Sequence, residues 1–279
     1  MSSPRIDDRD WSKLTFGERV RQIEVEGYLV LPDLLSADHI ARLKSETAPL
    51  DTIHTDYSER QRIRGNMSFA GGAITELIGH PPTIAFLREL FGDELIVMSY
   101  AYARSEPGHP GISLHTDGQP YGSEIFGYEG SVPVMVRVLY YLDDLTPDIS
   151  PFRAVPYSHL SLHADGNPYT RYESHPEEVM VPVVAGGAVL INHKLFHGNF
   201  PNTGGRPREL LAIAYRPAWA GPVKDVEPWD PADVATLPES VQPFFGDKNE
   251  RRWDFHGGNK PPDMRSEAPG INASRWEQL

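Results

Sequence analysis

The feature that most constrains this chain is a change of hydrophobic rhythm at Gly92. Before it, apolar residues recur at helical spacing. Val20, Ile23 and Val25 do so within Phe16–Glu26, which Gly27 ends; Ile40, Leu43 and Ala48 follow a capping Ser36; Ile84, Leu87 and Phe91 follow Pro82. Tyr28-Leu29-Val30-Leu31 reads as a buried strand closed by Pro32. After Gly92 the runs 95–103, 132–142, 152–156, 179–184, 187–192 and 208–216 are short, β-branched or aromatic, and separated by Gly, Pro, Asn and Asp. The 24 glycines and 26 prolines among 279 residues suit many turns while staying short of low complexity. Helices followed by strands, with no repeat and no dividing linker, predict an α+β fold whose later portion is an antiparallel sandwich or barrel. Residues 1–14 are polar and expected to fray. Residues 51–72, polar, Arg-rich and closed by Gly71-Gly72, are expected to form a long loop or lid. From 218 to 279 we expect an irregular wrap, which Trp219, Trp229, Phe244, Phe245, Trp253 and Phe255 would dock.

The absence of cysteine removes disulfide scaffolds, thiolate zinc sites, iron-sulfur clusters and cysteine nucleophiles. A formal net charge of -13 gives no footprint for phosphate backbones or an anionic membrane, so neither nucleic acid nor membrane is an expected partner. The N-terminal Met-Ser-Ser-Pro-Arg-Ile-Asp-Asp lacks the apolar run of a signal peptide, and no apolar stretch approaches about 18 residues. A cytoplasmic protein is expected.

Chemistry concentrates in the histidines. Two imidazoles and one carboxylate on one face of a metal leave positions open for other molecules, the arrangement of mononuclear ferrous sites in oxygen chemistry. His-X-Asp on a strand supplies two of the three, because residues i and i+2 point to the same side. The pattern occurs three times, as His54-Thr55-Asp56, His115-Thr116-Asp117 and His163-Ala164-Asp165, which chance alone nearly supplies, so context must choose. His54 lies in a polar stretch without strand character and reads as a solvated loop residue. His163 precedes Gly166-Asn167-Pro168, which is also loop chemistry. His115 follows the extended Gly111-Ile112-Ser113-Leu114, and Gly118 lets a ligand approach the backbone. His115 and Asp117 are therefore the expected pair.

A third ligand is expected from a distant strand folded back beside the first. Ala188–Asn199 offers His197, which precedes Gly198 and the turn residues Pro201-Asn202-Thr203-Gly204, and His193 as the alternative. Eleven residues beyond His197, Arg208 opens the strand Arg208–Tyr215. Alternation puts Arg208, Leu210, Ala212 and Ala214 on one face, so the guanidinium has space above two alanines and can grip a carboxylate. This favours His197. Arg206 competes with Arg208, but Pro207 sets it before the strand.

With these residues in place, the chain resembles the phytanoyl-CoA dioxygenase-like (PhyH) branch of the Fe(II)/2-oxoglutarate-dependent oxygenases over most of residues 16–217. The likeness rests on Gly27-Tyr28-Leu29-Val30-Leu31-Pro32-Asp33-Leu34-Leu35, His115-Thr116-Asp117, Phe152-Arg153-Ala154-Val155-Pro156-Tyr157-Ser158-His159, Ala185-Gly186-Gly187-Ala188-Val189-Leu190 and Phe196-His197-Gly198-Asn199-Phe200-Pro201-Asn202, with Arg208 at the family's spacing. Their order and spacing together are specific. Ser150 and Tyr157 depart from it, standing where the family pattern prefers glycine.

The resemblance implies a double-stranded β-helix, the cupin-like jelly roll, over 93–217, flanked by a helical N-terminal region, 1–92, and the wrap 218–279 in a single dioxygenase domain. It implies His115, Asp117 and His197 on Fe(II), Arg208 on the distal carboxylate of 2-oxoglutarate, Asn199 near that cosubstrate and Tyr102 on a strand that adds a further contact. O2 is the other cosubstrate, and hydroxylation of a small soluble metabolite with release of succinate and CO2 is the expected reaction. The carboxylate ligand leaves no vacant position for halide, which favours hydroxylation over halogenation. The rivals are a non-catalytic cupin-like binding protein and a metal-dependent hydrolase or isomerase using the same three ligands. The net negative charge disfavours a polyanionic acyl-CoA as substrate. Arg64, Arg137 and Arg153 are the cationic groups available to a substrate, with Arg64 reaching it from the expected lid.

Overall fold

The computed structural model describes residues 4–117, 134–160, 174–222 and 228–247. Its helices begin where the sequence offers partners for the free N–H groups of a first turn. For α1 (Phe16–Val25) the Thr15 hydroxyl accepts from the Glu18 amide while the Glu18 carboxylate accepts from the Thr15 amide. Ser36 accepts from His39 to start α2 (Ala37–Thr47). The Glu46 carboxylate accepts from Ala73 and Ile74 at the start of α3 (Gly72–Glu76). Proline opens α4 (Pro81–Phe91), and Gly92 at φ 90° ends it.

Two sheets form the body. The larger contains β2 (Tyr28–Leu31), β3 (Ile53–Thr55), β4 (Ser58–Arg64), β5 (Leu95–Ser105), β7 (Val136–Tyr141), β10 (Ala188–Asn192) and β12 (Arg208–Pro217), in the order β2-β10-β7-β12-β5-β4-β3. The smaller contains β1 (Arg5–Ile6), β6 (Ile112–His115), β8 (Phe152–Ala154), β9 (Val179–Val181) and β11 (His197–Asn199), in the order β1-β9-β8-β11-β6. Neighbours far apart in sequence and antiparallel pairing, with β1–β9 the one parallel pair among the described residues, make this the expected jelly roll.

The inner faces of the sheets meet, as the Tyr28 and Phe152 rings do at 6.4 Å. The helices cover the outer face of the larger sheet, and its outward tyrosines fasten them. Tyr100 donates to Ile74 O at 2.9 Å, Tyr215 to Ile78 O at 2.8 Å and Tyr140 to the Thr83 hydroxyl at 2.8 Å. With both faces covered, every residue of β12 is buried, which explains its nearly continuous apolar run. Truncating Leu211 or Ile213 to alanine there costs about 2–5 kcal/mol. No helix among the described residues is long and apolar enough to cross a membrane.

Three expectations are corrected. Residues 1–14 do not fray over their described portion: β1 pairs with β9, Trp11 is buried, and Asp7 accepts from the Tyr28 hydroxyl at 2.6 Å. Much of 51–72 is the edge hairpin β3–β4 rather than a loop. Arg60, Arg62 and Arg64 recur every second residue, a strand's period with its charges on the exposed side. The region before Gly92 is thus not purely helical. In the C-terminal segment Trp219, Phe244 and Phe245 are buried and Trp229 packs on Phe245, while Trp253 and Phe255 lie outside the described residues.

Candidate metal centre

On the smaller sheet, β6 and β11 pair so that His115 lies directly opposite His197. The approach is close because Gly198 has no side chain: a Cβ there would stand 2.3 Å from Ile112 O and 2.8 Å from Ser113 O. The two imidazole rings consequently lie 4.4 Å apart. Two residues beyond His115, Asp117 is fixed by its amide donating to His193 O at 2.8 Å. His115, Asp117 and His197 offer ligand atoms that all lie within 4.8 Å of one another. His193 is not part of this group; it is fully buried, and its Nδ1 meets Met135 O at 3.2 Å. His54 is exposed on β3, and His163 lies outside the described residues.

The protonation pattern follows from the hydrogen bonds. His115 Nδ1 donates to Ser113 O and His197 Nδ1 to Leu195 O, each at 2.9 Å, since a carbonyl can only accept. Burial holds the His197 pKa down at about 4, so the ring is neutral near pH 7 and its Nε2 carries a lone pair. His115 Nε2 lies 3.7 Å and His197 Nε2 3.6 Å from the Asp117 carboxylate, too far for hydrogen bonds. Electron pairs converging on one small space repel unless a cation joins them, and backbone carbonyls on the far ring nitrogens are what orients metal-binding imidazoles. The residues fit a divalent metal. Arg137 of β7 lies with its Nε 3.0 Å from Asp117 Oδ2 and holds that carboxylate from the facing sheet.

Arg208, the first residue of β12, is fully buried, and burial lowers its pKa. Its Nη2 donates to the Ser105 hydroxyl at 2.7 Å and to the Ser150 hydroxyl at 3.4 Å. Its Nε and Nη1 have no partner among the described residues. A buried guanidinium with donors to spare fits an anion from outside the chain. Ser150 links it to the smaller sheet, because Asn199, two residues beyond His197 on β11, donates to Ser150 O at 3.2 Å. Ser150 has φ 47° and Tyr157 φ 67°, so both residues for which the resemblance implied glycine fall in the left-handed region.

The other arginines and Tyr102 are placed elsewhere. Register puts Ser105 beside Arg208 on the inner face and Tyr102, beside Leu211, on the outer one. The Tyr102 hydroxyl donates to Glu209 at 2.5 Å, away from Arg208. Arg153 is buried in an ion pair with Glu178, its Nε donating at 2.7 Å. Arg64 faces solvent and donates to Asp51 O. Arg137 alone of the three borders a cavity of about 530 Å³, whose walls include Ser99, Ala101, Phe69, Trp229 and, at the rim, Asp230 and Asp233. Ser105, Ser150 and the C-terminal Trp229 were not singled out for the site from sequence. Strand register alone would have pointed to Ser105.

The family described as phytanoyl-CoA dioxygenase (PhyH) matches residues 23–210, which include all three clustered ligands and Arg208. The dioxygenase olcK of Penicillium canescens is 27% identical over 199 residues, 70% of this chain, and the chain spans 63% of that relative's length. Among solved structures, HygX from Streptomyces hygroscopicus with nickel, 2-oxoglutarate and hygromycin B bound superposes with a TM-score of 0.61 at 21% identity, covering 73% of this chain and 88% of HygX. SnoN, the non-heme alpha ketoglutarate dependent epimerase from nogalamycin biosynthesis, gives 0.61 at 19% identity over 73% of this chain and 81% of its own. These structures establish the shared fold. The family match, running through both sheets and the residues that meet between them, makes the chain a member of the phytanoyl-CoA dioxygenase (PhyH) family.

Proposed function

We propose that this member of the family is an Fe(II)- and 2-oxoglutarate-dependent hydroxylase of a small molecule, releasing succinate and CO2. His115, Asp117 and His197 hold the iron, and Arg208, with Asn199 nearby, receives the cosubstrate. One observation carries the reading: a buried arginine without a carboxylate partner among the described residues is linked through Ser150 and Asn199 to the strand of His197, which clusters with a second imidazole and a carboxylate. A hydrolase or isomerase that takes no 2-oxoglutarate does not need that cation. A binding protein that had lost turnover has no reason to keep it, since an uncompensated buried charge costs several kcal/mol. HygX, solved with nickel and 2-oxoglutarate, supports the same cosubstrate.

Fe(II) with 2-oxoglutarate and O2 supplies the chemistry that takes hydrogen from an unactivated C–H bond. The chain's own residues do the rest. His115 and His197 present Nε2 because carbonyls occupy their Nδ1 protons. Arg137 restrains Asp117, and Arg208 neutralises the distal carboxylate of the cosubstrate. The cavity beside Arg137 admits the substrate, with Phe69 and Trp229 as walls. Arg137 is its basic lining residue and is already paired with Asp117, while Asp230 and Asp233 stand at the rim. That lining suits a small neutral or amine-bearing molecule better than a polyanion.

The test is anaerobic titration of the Fe(II) protein with 2-oxoglutarate, followed by aerobic incubation with metabolite pools. A visible charge-transfer band, and a product heavier by one oxygen, are expected. No band overturns the cosubstrate assignment. A product of unchanged mass replaces hydroxylation by epimerisation, the reaction named for SnoN, and loss of two hydrogens replaces it by desaturation or ring formation.

A further inference from the structure

The cavity beside Arg137 has walls of two origins. Asn66, Ser68 and Phe69, from the turn after β4, and Ser99 of β5 lie within the stretch that the family match covers. Trp229 and Asp233 do not: the match ends at residue 210, so this second wall is the chain's own. Phe245 braces the aromatic part of both walls, its ring lying 5.6 Å from that of Phe69 and 4.9 Å from that of Trp229. Two apolar ring surfaces are thereby held in place at the cavity.

Between the rings stand polar groups that the fold itself does not use. Ser68 is 5% exposed, yet its hydroxyl makes no hydrogen bond among the described residues, and neither do the Ser99 hydroxyl and the Asn66 amide. A buried hydroxyl without a partner is unfavourable, and a hydrogen-bonding group from outside the chain is its complement. At the rim the two carboxylates differ. Asp230 accepts from the Ala232 amide at 2.8 Å, which starts the short helix α5 (Pro231–Val234). The Asp233 carboxylate makes no hydrogen bond or ion pair among the described residues. Arg137, the basic residue of the lining, already faces Asp117 at 3.0 Å, so the mouth of the cavity is left negative.

We infer that the substrate is a hydroxylated ring carrying a protonated amine, the chemistry of an amino sugar, and that Ser68, Trp229 and Asp233 select it. Such a ring has C–H faces to lay on Trp229 and Phe69, and hydroxyls that both donate and accept for Ser68, Ser99 and Asn66. Its ammonium finds the Asp233 carboxylate beside an aromatic ring, both of which attract a cation. A volume of about 530 Å³ takes a molecule of one or two rings. An acyl chain or an unsubstituted polycycle would leave the hydroxyls and the carboxylate unmatched. The inference rests on the cavity being the substrate site, as proposed above, and adds the substrate's class and the residues that recognise it.

The experiment is anaerobic calorimetric titration of the Fe(II) protein with three probes. Glucosamine carries both features, glucose lacks the amine, and cyclohexylamine lacks the hydroxyls. Glucosamine should bind at least about tenfold more tightly than either, the effect of a hydrogen bond to a charged group. Asp233→Asn should bring glucosamine to the level of glucose and leave glucose unchanged, while Asp233→Glu keeps the preference. Ser68→Ala should weaken glucosamine and glucose but not cyclohexylamine. Trp229→Ala should weaken all three, and Trp229→Phe should restore most of that loss. Equal binding of the probes, binding of none, or a preference that survives both Asp233→Asn and Ser68→Ala overturns the inference. Cyclohexylamine matching glucosamine overturns the hydroxylated ring. The 2-oxoglutarate band of the same proteins separates this from the reaction: no band in the wild type overturns the cosubstrate reading, whereas a normal band without probe preference overturns the substrate class alone. Asp233→Asn, at an exposed position, keeps the test decisive if Trp229→Ala misfolds.

Discussion

Tyr157 shows how one residue can carry strain without function. It has φ 67° and is 52% exposed. A side chain in the left-handed region costs about 1–2 kcal/mol, against about 0.5–1 kcal/mol for the extra freedom glycine loses on folding. Tyr157→Gly should therefore raise unfolding free energy by about 0.5–1 kcal/mol, read as a higher urea midpoint at constant slope. Ser150, at φ 47°, is the opposite case. Its hydroxyl accepts from Arg208 and donates to Phe200 O at 3.0 Å, so relief of strain in Ser150→Gly should come with weaker 2-oxoglutarate binding. Arg208→Ala removes the cation altogether. Loss of a buried charge-assisted pair costs about 2–5 kcal/mol, so the cosubstrate Kd should rise well over tenfold while Arg206→Ala leaves it unchanged.

At the scale of elements, the contact between β6 and β11 decides whether two imidazoles share a metal. Gly198→Ala pushes a methyl into the Ile112 and Ser113 carbonyls, and overpacking of this kind costs about 1–3 kcal/mol. The strands should separate, and Fe(II) or Co(II) affinity should fall by about tenfold or more while far-ultraviolet circular dichroism stays as in the wild type. Unchanged metal affinity would show that the pair tolerates the insertion. The edge hairpin β3–β4 gives the contrary expectation. Arg62 and Arg64 alternate with Gln61 and Ile63, and the latter two lie on the inner face beside Ser105 and Ala103. Arg64→Ala should leave the coupling of 2-oxoglutarate decay to product formation unchanged, because its guanidinium points away from the cavity; uncoupling would restore the lid.

For the molecule as a whole, packing around the site leaves buried imidazoles that resist protonation. His109, His193 and His197 are held at about 4, each by burial first, against an ordinary value near 6.5. Below pH 6.5 the unfolded chain takes up protons that the folded one refuses, so the stability these groups contribute is complete above that pH and is lost as pH falls towards 4. The melting temperature of the metal-free protein should drop steeply over that window, and His109→Gln should flatten the slope by about one proton. Fe(II) at about 100 times its Kd should add about 2.7 kcal/mol of stability, an increment absent in His197→Ala. Much of this architecture was legible in the chain itself. Helical spacing with Thr15, Ser36 and proline at the starts, and short β-branched runs after Gly92, identify elements because local geometry and capping act over a few residues. The i, i+2 parity of His115 and Asp117 is local too. Which elements become neighbours is not local. His197 rather than His193 meets His115, Tyr102 turns outward to Glu209 while Ser105 turns inward to Arg208, and the arginine-rich stretch 60–64 becomes a strand of the larger sheet, between β3 and β5. Each of these depends on register and on which face another layer covers. Strand pairings between residues about a hundred positions apart, such as Arg208 with Ser105, fix them, and no short window of sequence contains both partners.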